Sequence, residues 1–306
     1  MMTAMCRNFG TPDGCRFGAN CRFSHGDTPT AAHTQTISAP EAAICRHFLL
    51  PTGCRNGDGC RYSHRREINE GVQHLTHEQE TLLRTVETRQ VPTFALDVEC
   101  VATGITHNDR SVAQIGVVDA DFNVVFNAYV KPSKSVISYL TPLTGIHAQL
   151  IQEKGISFEE AMLSLREILP KNAVIVGHNI GQDAQWLGLH APADVSSLLD
   201  TAALFRAYDP MKRRWNYFSQ DHIAKVWLNK FRPPGGHHDA VGDAMISMRL
   251  LHAFISVRRD SYQLELLKSQ TINTPRAPSF AVTHPVFEGV CMGNRSLCQC
   301  GAPHFT

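Results

Sequence analysis

The sequence predicts an α/β unit, a mixed sheet flanked by helices, preceded by two small modules that zinc stabilises. Three observations lead there. One arrangement of three Cys and one His occurs twice within the first 66 residues. From Thr93 onward, three short apolar or β-branched runs follow one another, separated by turn residues. After them, strand-like segments alternate with stretches of helical composition up to Ile255.

At 306 residues and 43% hydrophobic, the chain can build one core of ordinary size with smaller attachments. Its net charge of +1 conceals a gradient. Residues 1–66 carry eight Lys/Arg against four Asp/Glu, residues 67–91 two against five, and residues 92–257 fourteen against sixteen. The N-terminal segment is the basic part, as suits a module that meets phosphate, although three thiolates and one Zn²⁺ leave each of its sites one charge negative. No uninterrupted apolar stretch approaches the ~20 residues that span a bilayer. The start, Met1-Met2-Thr3-Ala4-Met5-Cys6, lacks the charged-then-apolar pattern of a secretory leader. No membrane partner is expected. Nine of the ten cysteines fall into three groups, each closed by a His. That grouping points to metal binding in a reducing, intracellular compartment, the nucleus preferred to the cytoplasm. Cys100 stands alone and reads as an ordinary near-core cysteine.

Cys6, Cys15, Cys21 and His25 are separated by eight, five and three residues, and Cys45, Cys54, Cys60 and His64 repeat those gaps. A closed Cys₃His set is a structural Zn²⁺ site. With too few residues for a core, zinc binding would drive folding, at roughly 10–16 kcal/mol in comparable peptides. Arg7, Arg16, Arg22, Arg46, Arg55 and Arg61 interleave with Phe9, Phe17, Phe23, Phe48 and Tyr62. Rings and guanidinium planes suit unpaired bases, at ~1–3 kcal/mol per stacked base. Both segments resemble the CCCH zinc-finger family, whose tandem members bind single-stranded RNA; the resemblance implies RNA as partner, and protein docking is the plainer alternative.

Between and after the fingers, residues 27–43 and 67–91 read as linkers, with a short helix over Thr76–Glu87. Strands are expected over Thr93–Val98, Ser111–Asp119 and Asn123–Val130. Ser157-x-x-Glu160 reads as a capping box opening a helix to Leu169. A strand at Ala173–Val176, a helix near Gly181–Leu189, a strand near Leu198–Asp200, and helices around Gln220–Asn229 and Asp239–Ile255 complete the unit. The organisation is therefore finger 1 over 1–26, linker 27–43, finger 2 over 44–66, linker 67–91, an α/β domain over 92–257 and a tail over 258–306.

The acidic residues of this unit have a shared logic. Asp97 and Glu99 alternate along the first strand and so face the same way. Asp183 follows Gly177-His178-Asn179 at the start of a helix, and Asp243 lies five residues after His238. Singly, each reads as a solvated or capping acid. As an ordered set they resemble the DEDDh exonucleases of the RNase-T-like superfamily, and within it the eukaryotic RNA exonucleases, including the interferon-stimulated exonuclease group. Gln114-Ile115-Gly116, Pro142-Leu143-Thr144-Gly145-Ile146 and Asp200-Thr201 agree with the resemblance, whereas Cys100-Val101-Ala102-Thr103 departs from relatives that often carry Met after the acidic pair.

The resemblance implies an RNase-H-like fold and metal-dependent 3′→5′ hydrolysis of single-stranded RNA to 5′-nucleotides. It implies that Asp97, Glu99, Asp183 and Asp243 hold two Mg²⁺ or Mn²⁺ ions, that Asp97 bridges them, and that His238 rather than His237 is the general base. The chemistry fits, because phosphodiester hydrolysis loads negative charge onto attacking and leaving oxygens and paired cations stabilise both. The same residues would serve a DNA 3′→5′ exonuclease, and a non-catalytic RNA-binding decay adaptor is the remaining alternative.

Two weaker signals complete the chain. Lys212-Arg213-Arg214-Trp215-Asn216-Tyr217-Phe218 is either a grip on the substrate strand or a solvated charge run beside core aromatics. Cys291, Cys298, Cys300 and His304, with gaps of six, one and three, offer a third Zn²⁺ site within 291–304, approached through an extended Pro-containing linker.

Overall fold

The computed structural model describes Cys54, Asn56, Cys60 and residues 75–304 apart from Pro210 and Pro234. The finger ligands Cys6, Cys15, Cys21, His25, Cys45 and His64 lie outside the described residues.

The first described helix, α1 (His77–Glu87), starts at a complete capping box, in which Thr76 and Gln79 satisfy each other's backbone N–H groups. A meander follows: β1 (Thr93–Ala102), β2 (Arg110–Asp119) and β3 (Val124–Val130) pair antiparallel, with Asp97 opposite Gly116 and Gly116 opposite Asn127. Short helices α2 (Thr141–Thr144) and α3 (Ala148–Lys154) lead into β4 (Gly155–Ile156), which pairs parallel to β3. Crossover helices then alternate with parallel strands: α4 (Phe158–Ile168), β5 (Val174–Gly177), α5 (Ile180–Leu187), β6 (Ser197–Asp200). Ser157 caps α4 by accepting from the Glu160 N–H, so one half of the expected box forms. After α6 (Thr201–Leu204) a small hairpin, β7 (Ala207–Asp209) and β8 (Arg214–Asn216), precedes α7 (Gln220–Trp227) and the long α8 (Ala240–Val257). The remainder comprises α9 (Ser261–Asn273), α10 (Phe280–Thr283), and a hairpin of β9 (Val286–Phe287) and β10 (Val290–Cys291).

The six strands stand in the order β4-β3-β2-β1-β5-β6, a mixed sheet of the RNase-H-like kind covered by helices on both faces. Alternation along β1 divides the core. Leu96 and Val98 face α4 and α5, whose Leu165, Ile180 and Leu187 are buried there. Ala95 faces the other way, toward α1, α7 and α8, with Leu83, Ile223, Met248 and Phe254 around it. Each fully buried aliphatic contributes about 1.5–3 kcal/mol over its exposed state, so the two clusters outweigh any surface pair. By length and composition α8 is apolar enough to cross a bilayer. Its apolarity has a use here, since Ala244, Met248, Leu251 and Phe254 are buried in the core.

Two features go beyond the expected outline. α9 lies in the tail before Pro275, where the pattern assigns no element, and the basic-aromatic tract contributes β8 and the turn before it to the β7–β8 hairpin. Within that tract Trp215 packs against Tyr208 and lies under the Arg206 guanidinium, Phe218 is buried, and Tyr217 stays exposed.

α1 is part of the sheet-covering layer. Leu83 has no exposed surface, and Arg258, at the end of α8, pairs with Glu80 at 3.1 Å and Glu87 at 3.0 Å. Leu83→Ala should therefore lower the unfolding free energy of the α/β unit by about 2–5 kcal/mol. Chemical denaturation of the full chain checks this, and an unchanged midpoint would mean that α1 docks without contributing.

Candidate active site

Asp97 and Glu99 lie on the α8 side of β1, and a β-bulge follows directly, the register shifting between Glu99 and Cys100. Bulges of this kind re-aim side chains beside functional sites. α8 reaches these acids because Gly116, opposite Asp97, has no side chain. A Cβ there would stand 2.4 Å from both the Ala240 carbonyl carbon and the Val241 nitrogen, well inside van der Waals contact. Gln114 ties the two elements further, donating to Asp239 Oδ1 at 2.9 Å and accepting from the Ala240 N–H at 3.3 Å. Asp239 in turn caps α8 by accepting from Gly242. Asp243, one turn on, is 2% exposed, and Gln220 of α7 donates to its backbone carbonyl at 2.9 Å.

His238 stands beside Asp243, Nδ1 to Oδ2 at 2.7 Å. With Asp243 Oδ2 accepting, Nδ1 carries the proton in this contact and Nε2 keeps its lone pair, while Arg232 Nη2 stands 3.3 Å from the same Nδ1. The loop before α8 is pinned by the tract around Gly145. The His238 N–H donates to the Leu143 carbonyl at 2.7 Å, and the His237 ring bonds the Pro142 carbonyl at 3.2 Å. Gly145, at φ +68°, leaves room for that ring. Of the adjacent histidines, His238 thus turns to the acids and His237 away from them. Ligand atoms of Glu99, His238 and Asp243 lie within 4.8 Å of one another.

Asp183 arrives from the sheet's other helical layer. Asn179 takes a left-handed conformation and donates its N–H to Asp200 Oδ1 at 2.9 Å, starting α5 so that Asp183 is buried in its first turn. Thr201 bonds the Gly177 carbonyl and the His178 ring, both at 3.1 Å, and burial holds His178 below the usual imidazole range.

The electrostatics follow from this crowding. Burial, then the charges of Asp183, Glu99 and Asp243, push Asp97 well above the usual carboxylate range. Glu99 is raised by burial and Asp243, and Asp183 by burial and Asp200. A pocket of buried, mutually repelling oxygens fits hard divalent cations, which need several such donors. Compensation also comes from Arg232, which the linear pattern does not mark. Its Nη2 donates to Asp243 Oδ1 at 2.5 Å and pairs with Asp221 Oδ1 at 3.2 Å, and Nη1 bonds the His237 carbonyl. A groove of about 690 Å³ bordered by Arg110, Lys131, Phe158 and Trp186 contains none of these acids.

The tail corrects one expectation. His107, in the β1–β2 connection, joins Cys291, Cys298 and Cys300 in place of His304, whose ring stacks on His107.

An acid raised in the folded state favours folding below its unfolded pKa, and that contribution is lost as pH rises through the raised value. Cations replace the lost protons. Mg²⁺ or Mn²⁺ should raise the melting temperature at mildly alkaline pH, by the equivalent of about 2.7 kcal/mol at a hundred times Kd. The gain should shrink as acidification reprotonates Asp97, Glu99 and Asp183, and most of it should vanish in Asp97→Asn. Gly116→Ala should keep its circular dichroism yet lose the cation-induced shift, because α8 is pushed off β2. Calorimetry across pH checks both, and a cation-insensitive wild-type melt would contradict them.

Residues 94–251, just over half the chain, match the family model described as Exonuclease, and residues 4–26 and 43–64 match the CCCH-type zinc finger model. Small RNA degrading nuclease 3 of Arabidopsis thaliana is 29% identical over 164 residues, covering 53% of this chain and 20% of that protein. RNA exonuclease 5 of Bos taurus is 27% identical over 215 residues, 68% of this chain and 25% of that protein. Putative small RNA degrading nuclease 4 of Arabidopsis thaliana is 26% identical over 172 residues, 56% and 48% respectively. The chain thus spans between a fifth and a half of the length of these relatives. Among solved structures, a Saccharomyces cerevisiae Pan2 pseudoubiquitin hydrolase–RNA exonuclease module in complex with AAUUAA RNA superposes with TM-score 0.51 at 17% identity, covering 61% of this chain and 33% of that one. The Neurospora crassa Pan2 catalytic unit gives 0.50 at 18%, covering 60% and 30%. With its acids gathered at the start of α8, its mixed sheet and a matching model over more than half its length, the chain belongs to the exonuclease family.

Proposed function

We propose that the protein is a 3′→5′ exoribonuclease that hydrolyses single-stranded RNA to 5′-nucleotides with two Mg²⁺ or Mn²⁺ ions, its CCCH fingers holding the RNA. One observation carries this reading: Glu99 of β1 and Asp243 of α8 bring ligand atoms within 4.8 Å of the His238 ring nitrogen, and the charges of Asp183 of α5 and Asp243 act on Asp97, although the chain separates these residues widely. RNA is favoured over DNA by the Arg-aromatic composition of the fingers and by relatives named as RNA nucleases.

Asp97, Glu99, Asp183 and Asp243 would hold the cations, which when bound supply positive charge to the attacking and leaving oxygens. The rest belongs to the chain. His238 takes the proton of the attacking water on Nε2, since Asp243 holds the proton of Nδ1 in place. Asp221 Oδ2 lies 4.0 Å from the same Nε2. Gln114, Leu143 and Pro142 keep the loop and the helix start in register, so the base is aimed before substrate arrives.

The full chain, given single-stranded RNA labelled at its 5′ end and Mg²⁺, should yield a ladder shortening from the 3′ end, with mononucleotide 5′-phosphates as product. His238→Ala should cost about 10²–10⁴ in rate, and Asp97→Asn or Asp243→Asn should abolish turnover without unfolding. Faster cleavage of a matched DNA strand would turn the assignment to a DNA exonuclease. Binding without hydrolysis in either metal would leave an adaptor.

A further inference from the structure

Cys291, Cys298 and Cys300 converge on His107 from the far end of the sequence. Sγ–Sγ separations are 3.1 Å for Cys291–Cys298 and 3.1 Å for Cys298–Cys300, too long for disulfides. His107 Nδ1 lies 3.0 Å from Cys300 Sγ, 3.6 Å from Cys298 Sγ and 3.9 Å from Cys291 Sγ. All four ligand atoms fall within 4.8 Å of one another. Tetrahedral zinc, at about 2.3 Å to sulfur and 2.0–2.1 Å to nitrogen, would set such atoms about 3.5–3.8 Å apart, so the three shortest of these separations would open by roughly half an ångström around the ion.

Two independent features point the same way. The second nitrogen of His107, Nε2, lies 3.0 Å from the Pro303 carbonyl, which can only accept. That bond places the proton on Nε2 and turns the Nδ1 lone pair toward the sulfurs, as ligating histidines are commonly oriented. The Gly293 N–H donates to Cys291 Sγ at 3.4 Å, a bond suited to a thiolate. His304 contributes no ligand. Its ring stacks on that of His107 with centroids 4.0 Å apart.

We propose that His107, Cys291, Cys298 and Cys300 form a structural zinc site that clamps the C-terminal segment onto the β1–β2 connection. All four positions are filled by protein, so the site is structural rather than catalytic, and three thiolates select zinc over the hard cations suited to the acids. The clamp sits on a prepared surface. The Cys291 N–H donates to the Ile105 carbonyl at 2.8 Å, Arg110 donates to the Cys291 carbonyl at 2.9 Å, and Val290 is buried with Ala102 and Leu140. It therefore secures the end of the strand that carries Asp97 and Glu99.

Elemental analysis of the purified full chain tests the site as a difference, since any finger zinc is common to every variant. His107→Ala and Cys298→Ser should each lower zinc by one per chain, whereas His304→Ala should not, and His107→Cys should retain it. Should the alanine variant not fold, alkylation of the wild-type chain followed by peptide mapping gives the same answer. Cys291, Cys298 and Cys300 should resist N-ethylmaleimide until a chelator is added. Unchanged zinc in His107→Ala, loss of one zinc in His304→Ala, or alkylation of the three thiols at one rate with and without chelator would each overturn the proposal.

Discussion

At Gly116 the backbone of α8 lies where a side chain would otherwise stand, and the chemistry of the domain rests on that contact. It places the start of α8 against β2 directly opposite Asp97, so an acid one turn into the helix shares a pocket with two acids of the neighbouring strand. Gln114 and Gln220 then fix the helix from the sheet side and from α7. A polar site of this precision is built from backbone proximity first and from side chains second, because packed elements shift less than rotamers do.

The same proximity creates an electrostatic debt of like charges. Two carboxylates about 4 Å apart repel by about 4 kcal/mol at an effective dielectric of 20, and several meet here. Protons, cations or a guanidinium can relieve that repulsion, and Arg232 is the protein's own answer. Because Arg232 and His238 are six residues apart on one loop, the relief and the base are delivered together.

Much of the sheet and the acidic set is legible in the sequence because both rest on local pattern. β1 to β3 alternate or run apolar, and Asp97-Val98-Glu99 declares its shared face by period two. What escapes is held by long-range polar contacts. α9 buries Lys268, Ser269 and Thr271 and binds α7 through His222 and Trp227, which bond the Thr271 carbonyl at 2.8 Å and hydroxyl at 3.0 Å. Such a helix has no apolar stripe to read. Arg232 sits among prolines in a loop, and its partners Asp221 and Asp243 each lie eleven positions away. His107 meets cysteines 184 and more residues downstream, so the nearer His304 completes the spacing but not the geometry.

The anchoring of α1 sets a leash. Its pairs with Arg258 fix it at the far end of α8 from Asp243, fifteen residues or about 22 Å along the helix. From His64, the last Cys₃His position of the second finger segment, to His77 there are thirteen peptide steps, at most about 45 Å of fully extended chain. The maximum reach exceeds the distance back along α8. The tether is thus long enough for RNA held by the second finger, as proposed above, to reach the acids of the same molecule.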